Sequence, residues 1–268
     1  MSIPAPDEIA RQEQRRLVRA VGSIAPVAEP IAGGVMCRGR PGSWMNKAVG
    51  LGMGVCVGDS DIARLVSFYE GAGLEARVEV CPYADASLLR GLASAGFVVR
   101  RVAQVMAREV GGADQSARAP GVEVRAVDRE DEGAMRLMAR TAHAGFVGPA
   151  PEATDDELRV WMVSARRAIP VLATVEGEPA GAGFVEVDGA YSTLFAASVL
   201  ERFRRRGVQG AMIAERLRLA GAGGASYATV SSEVMGATER NARRAGFAPV
   251  YTHLILARPG PGLVPVGG

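Results

Sequence analysis

Residues 199 to 212, Val-Leu-Glu-Arg-Phe-Arg-Arg-Arg-Gly-Val-Gln-Gly-Ala-Met, form the stretch of this chain best suited to chemistry. An apolar strand-like run ends at Val199 and a helical pattern begins at Gly207, so the arginines fall on the turn between them. The first turn of a helix leaves N–H groups without intrahelical acceptors and carries the positive end of the dipole, and an anion is stabilised there. Gly207 and Gly210 let a phosphate approach the backbone, while Arg204, Arg205 and Arg206 attract it and cover its outer oxygens. No Gly-Lys-Ser/Thr follows and the G-x-G-x-x-G spacing is missing, which sets aside Walker A and Rossmann loops. Taken alone, the stretch reads equally as a solvated Arg-rich connection.

Other reactive residue types are scattered. His143 and His253 have no serine or cysteine motif beside them and read as ordinary surface or packed histidines. Cys37, Cys56 and Cys81 form no CxxC pair and leave an odd thiol, a poor framework for disulfides or zinc; no metal site is expected, and a reduced cytoplasmic setting fits. Trp161 and the helically spaced methionines read as core, and Arg15-Arg16 as the solvated face of an N-terminal amphipathic helix. A net charge of +2 with 22% charged residues argues against nucleic-acid binding through bulk charge. The first thirty residues have charges where an export signal needs an apolar core, and no run of about 18 apolar residues is present, so neither an export signal nor a membrane span is expected.

The elements that would position the Arg-rich turn follow from periodicity and punctuation. Residues 121–127 alternate as a strand, and 128–144 form a helix with Met135, Met138, Ala139 and Ala142 on one face. Thr154 and Glu157 have capping-box spacing ahead of Leu158, Trp161, Met162 and Ala165. Three strands at 170–175, 181–187 and 191–199 form an antiparallel meander, followed by a helix over 207–220, a strand at 227–230, a helix ending at Gly246 and a strand over 249–257. An internal repeat accompanies this order. Ala95-Gly96-Phe97 and Ala245-Gly246-Phe247 lie 150 residues apart, and the same offset aligns Gly71-Ala72-Gly73 with Gly221-Ala222-Gly223, Val80 with Val230 and Val49 with Val199. The 268 residues therefore divide into an N-terminal module over 1–110, its repeated part starting near residue 30, a linker at 111–120, a second module over 121–258 and a flexible tail at 259–268.

With this order in place, the Arg-rich turn resembles the coenzyme A pyrophosphate loop of the GNAT (GCN5-related N-acetyltransferase) superfamily, R/Q-x-x-G-x-G/A. Arg204 and Gly207 fill its first two fixed positions, and Gln209 stands where Gly or Ala is usual. The resemblance covers 121–258, including Gly246-Phe247 before the last strand. It implies an α/β fold of two GNAT-like modules, each a mixed, largely antiparallel sheet flanked by helices. It further implies acetyl-CoA as acyl donor and an amine of a small molecule or protein as acceptor. Ala197 and Val199 would offer backbone groups to the pantetheine arm. Arg204, Arg205, Arg206, Gly207, Val208, Gln209, Gly210 and Ala211 would hold the pyrophosphate, and Asn241 would reach the same donor.

In the first module, positions 54–60 replace the loop and the arginines are gone. Asp59 and Ser60 would cap the following helix, so this module reads as a degenerate GNAT half that packs or shapes, or as a second, divergent ligand site. The simplest reaction is direct attack of an amine on the thioester. Many family members carry a tyrosine general acid at the position of Ala242; Tyr251 is the candidate substitute, and Glu186 the candidate base acting through water, each also readable as structural. A noncatalytic acyl-CoA-binding regulatory module is the alternative function. No oligomeric state follows from the pattern.

Overall fold

The computed structural model describes residues 3–111, 119–148 and 153–265. The chain runs α1 (Pro6–Ile24), β1 (Val27–Ile31), β2 (Gly34–Arg38), β3 (Lys47–Val49), α2 (Asp59–Glu70), β4 (Ala76–Val80), α3 (Ala86–Ser94), β5 (Val98–Glu109), β6 (Val122–Ala126), α4 (Glu132–Val147), α5 (Asp155–Ser164), β7 (Ile169–Val175), β8 (Glu178–Asp188), β9 (Tyr191–Val199), a 3-10 turn at Glu201–Phe203, α6 (Val208–Ala222), β10 (Tyr227–Glu233), α7 (Ala237–Arg244) and β11 (Ala248–Arg258). The repeat read from sequence is a structural one: α2, β4, α3 and β5 recur as α6, β10, α7 and β11. The expected linker lies outside the described residues except for Gly111, Ala119 and Pro120. No described helix is long and apolar enough to cross a membrane.

The Ala-Gly-Phe triplets have a common local cause. Gly96 (φ +78°) and Gly246 (φ +81°) adopt the left-handed conformation just past α3 and α7. Phe97 N–H then donates to Leu92 O and Phe247 N–H to Ala242 O, both at 3.0 Å. This is the Schellman arrangement, in which glycine reverses the chain and the following apolar residue returns to the core. Phe97 and Phe247 are both buried.

The chain separates into two compact units, one of Val105–Pro249 and one of Pro4–Gln104 with the residues from Val250 onward. These units depart from the boundaries expected from sequence, because the two equivalent strands are exchanged. Most of β11 belongs to the N-terminal unit, where it pairs antiparallel with β4 from Leu254↔Val80 to Arg258↔Ala76. The end of β5 belongs to the C-terminal unit, where Val110 N–H donates to Ser226 O at 2.9 Å. Two arginines at equivalent repeat positions make equivalent bonds: Arg108 donates to Ala245 O, and Arg258 donates to Ala95 O. Met106 accordingly joins the core with Leu194, Ile213 and Phe247, while Leu256 joins the one with Leu65, Val78 and Leu92. Each exchanged strand offers the same apolar face and the same arginine, so each unit's core is satisfied by the other half's strand.

In the N-terminal unit β1, β2 and β3 are antiparallel and β4 lies parallel to β3 at Ala48↔Val78. Three expectations change here. Arg16 is buried beside Glu13 rather than solvated, because its face of α1 is covered; Arg15 is exposed. Asp59 and Ser60 lie inside the first turn of α2, and Asp61 is the residue whose carboxylate accepts from the Gly58 N–H at 3.0 Å, as a side chain at the third helical position can. The expected flexible tail is tied down in its described part, where Val264 bonds to Gly73 and Glu75 through its backbone.

A buried polar group in this unit produces the first prediction. Burial opposes ionisation of Glu79, but Lys47 at 2.7 Å outweighs it and holds the carboxyl below its ordinary value of 4.5. Burial also pushes His253 below its ordinary value of 6.5, against the attraction of Glu79 and Glu13 and with the repulsion of Lys47. Below 6.5 the unfolded chain takes up a proton at His253 that the folded chain does not, so stability falls with pH; Glu79 adds a further loss below 4.5. The melting temperature should therefore start to drop as pH falls under 6.5, and His253→Gln should flatten the slope between 6.5 and 4.5. An unchanged slope in that variant would remove His253 from the account.

Candidate functional site

The C-terminal unit builds its site at a split in its sheet. β6 to β9 are antiparallel, and β10 runs parallel to β9, paired at Tyr227↔Tyr191, Ala228↔Ser192 and Thr229↔Thr193. Among the described residues the pairing stops there, although β9 continues to Val199 and β10 to Glu233. A register shift between Ala182 and Phe184 marks the cause, with Ala196 in a left-handed conformation (φ +48°) across from Gly183. Bulges of this kind bend a strand and turn its backbone groups away from the ladder. Gly183 is required by the close approach, since a Cβ there would lie 2.9 Å from Ala197 Cβ and 3.1 Å from its Cα.

The split encloses a cavity of about 180 Å3. Its walls are Leu194 to Ala197 of β9, Val230 and Ser231 of β10, Gln209, Ile213 and Arg216 of α6, and Thr238 and Ala242 of α7, with Phe146 and Phe247. A second, larger cavity of about 720 Å3 continues along α6 and α7, bordered by Gly210, Ile213, Ala214, Asn241 and Arg244. Ile213 lines both.

Between β9 and α6 the chain makes the Arg-rich turn. Phe203 is buried against Val208 and Met212 and anchors the turn. Arg204 Nε lies 3.4 Å from Val199 O, Arg205 is left-handed (φ +64°), and Arg206 pairs with Glu176 at 3.7 Å on the surface. Gly207 ends the turn at φ +80° as the N-cap of α6. A Cβ at Gly207 would lie 2.6 Å from Ala119 Cβ. The first intrahelical bond is Ala211 N–H to Gly207 O at 3.0 Å, which leaves the amides of Val208, Gln209 and Gly210 without an intrahelical acceptor. Among the described residues no side chain caps this end, and no acidic residue stands in its first turn. The first-turn donors and the positive end of the dipole are thus without a side-chain cap at this helix start.

The remaining candidate residues sort by unit. Ala197 and Gln209 line the smaller cavity, and Gly210 and Asn241 the larger. Asn241 Oδ1 accepts from Arg244 at 3.0 Å. Glu186 is buried on β8 opposite Thr193 and, by strand alternation, shares a face with Phe184 and Phe195. Tyr251 belongs to the N-terminal unit, where it packs edge-on against Tyr83 at 6.1 Å, and it lines neither cavity. The sequence reading places it in the second module, and the strand exchange moves it to the other unit. Ala242 lines the cavity as a buried residue without a hydroxyl.

Two features escaped the sequence reading. Phe146, Trp161, Phe184 and Phe195 stack in series with centroid separations of 5.8, 6.3 and 5.4 Å, joining α4 and α5 to the cavity wall. Arg216 is 2% exposed, donating from Nε to Met212 O at 3.0 Å and from Nη1 to Phe184 O at 3.4 Å. Burial pulls its pKa down to about 10, so it stays cationic at neutral pH. The readable signal was a charge interrupting the apolar stripe of Met212, Ile213, Leu217 and Ala220. Among the described residues no three His, Cys, Asp or Glu side chains cluster as a metal site.

No protein-family model and no curated protein matches the chain. Solved structures do. A GCN5-related N-acetyltransferase from Kribbella flavida superposes with a TM-score of 0.66 at 19% identity, covering 97% of both chains. A tandem GNAT protein from the clavulanic acid biosynthesis pathway gives 0.57 at 14% identity, over 96% of this chain and 88% of that one. A functionally unknown conserved protein from Staphylococcus epidermidis gives 0.57 at 12% identity, over 86% and 92%. The chain has the GNAT fold, with helices on a mixed sheet.

Proposed function

We propose, from the GNAT fold of this chain, that its C-terminal unit binds acetyl-CoA and transfers the acetyl group to an amine. The observation that carries this reading is the uncapped N-terminus of α6 beside Arg204 to Arg206, at the edge of a sheet split that leads into a cavity. The residues fit the donor. The amides from Val208 to Ala211 and the arginines suit a pyrophosphate, Gly207 keeps side-chain bulk out of the cradle, and the β9 backbone at Ala197 and Val199 lies beyond the last pair with β10, where a pantetheine arm can run. Asn241 borders the neighbouring cavity. When bound, the donor supplies an acyl group activated as a thioester.

The chain's own groups then orient the two reactants and move protons. Glu186 takes the ammonium proton of the acceptor through water, and the Phe146, Trp161, Phe184 and Phe195 stack excludes bulk solvent from that face. Ser231 and Thr238 are the hydroxyl-bearing residues in the cavity wall able to relay a proton to the leaving sulfur. The proposed reaction draws no step from Tyr251.

Titration calorimetry of the full chain with coenzyme A and acetyl-CoA tests the binding half, and thiol release across an amine panel tests the transfer. Absence of binding to either form would sink the proposal. Binding without turnover would favour a noncatalytic acyl-CoA-binding regulatory module, the reading that Ala242 supports. Glu186→Gln should lower kcat about 100-fold and erase the acidic limb of the pH–rate profile, with donor affinity retained; a variant keeping both rate and limb would clear Glu186 of the role.

A further inference from the structure

Arg216 poses a physical problem that the acyl-transfer reading does not absorb. It is the single charged residue among those lining the smaller cavity, and it is almost fully buried. Its hydrogen-bond partners are two backbone carbonyls, Met212 O and Phe184 O, and among the described residues no carboxylate pairs with it. A guanidinium carries five N–H donors, and these two bonds use only two of them. Burying a cation without a counter-charge is costly, and an anionic ligand group would offset that cost. The nearby bulge makes room for it: Arg216 Nη1 would sit 3.4 Å from a Cβ at Gly183. A planar fork of donors matches a carboxylate in two parallel bonds.

We propose that this cavity takes a carboxylate, held by Arg216, at the far end of a short dicarboxylic acyl group carried on the thioester donor. The inference rests on the acyl-transfer reading above. The cavity of about 180 Å3 is comparable to an apolar cavity of ~150 Å3 that holds a benzene-sized ligand, room for a short acyl chain. In the transfer the amine N–C bond forms and the thioester C–S bond breaks. The proton lost by the amine balances the thiol released, and the carboxylate stays on the acyl group as a handle. The same carboxylate chemistry could enter on the acceptor, as an amino acid rather than a plain amine.

The experiment compares succinyl-CoA with butyryl-CoA, which has the same four-carbon chain without the charge, by titration of the full chain. Succinyl-CoA should bind at least about tenfold tighter, about 1.4 kcal/mol. Arg216→Met should remove that preference and Arg216→Lys should restore part of it. The acceptor arm uses acetyl-CoA with amino acids against the corresponding decarboxylated amines: a carboxylate preference confined to this arm, and lost in Arg216→Met, places the group on the acceptor. Equal behaviour of charged and neutral partners in both arms, with coenzyme A bound, overturns the inference and leaves the acyl-transfer reading intact. Should coenzyme A itself fail to bind, that reading falls, and the carboxylate site is decided by thermal shift with succinate against succinamide. A shift specific to succinate in the unmodified chain, and absent in Arg216→Lys or Arg216→Met, upholds the site; no difference overturns it. If Arg216→Met does not fold, the donor comparison on the unmodified chain still decides.

Discussion

Gly207→Glu should weaken coenzyme A binding by at least about 100-fold, close to 3 kcal/mol, while the far-ultraviolet circular dichroism of the chain stays that of the unmodified protein. Three effects act together. The φ of +80° at the N-cap of α6 is tolerated by glycine and costs other residues about 1–2 kcal/mol. The added Cβ would lie 2.6 Å from Ala119 Cβ, so the turn must shift. The carboxylate then competes for the free amides of Val208 to Gly210 and repels a pyrophosphate. Gly207→Ala carries the first two effects without the third and should fall between the two. Calorimetry that finds Gly207→Glu within threefold of the unmodified chain would place the anion elsewhere.

Gly183→Val should affect both stability and binding. Its Cβ would press on Ala197 Cβ at 2.9 Å and on Ala197 Cα at 3.1 Å, and backbone cannot yield as a flexible side-chain tip would. Overpacking of this kind costs about 1–3 kcal/mol, which lowers the melting transition of a unit this size by about 2–4 °C per kcal/mol. Relief requires β9 to move at Ala196 and Ala197, the wall of the cavity, so donor affinity should fall along with the melting temperature. Gly183→Ala should show a smaller loss of each. A valine variant that melts and binds as the unmodified chain does would mean that the bulge is not what shapes the split.

The acyl donor reading and the carboxylate reading are separable in these variants. Gly207→Glu removes the grip on the nucleotide end whatever the acyl group carries. Arg216 variants change the discrimination between charged and neutral acyl groups at the opposite end of the same ligand. Glu186→Gln touches neither grip and reports on proton transfer alone.

Much of this protein was legible from its residues because the relevant forces are local. Helix capping at Thr154 and Glu157, the glycine reversals at Gly96 and Gly246, and the uncapped, Arg-flanked start of α6 depend on neighbours within a few positions, and the structure has each of them. The 150-residue repeat set the order of elements in both halves for the same reason. What only the tertiary structure decided was partnership. β5 and β11 present equivalent apolar faces and equivalent arginines, so nothing in their residues says which core each completes; the pairing of β11 with β4 and the bond from Arg108 to Ala245 do. That exchange placed Tyr251 in the N-terminal unit. It took three-dimensional packing, too, to turn one arginine in an apolar stripe into a buried cation facing a cavity, because burial, and the lack of a counter-charge among the described residues, are properties of surroundings drawn from distant parts of the chain.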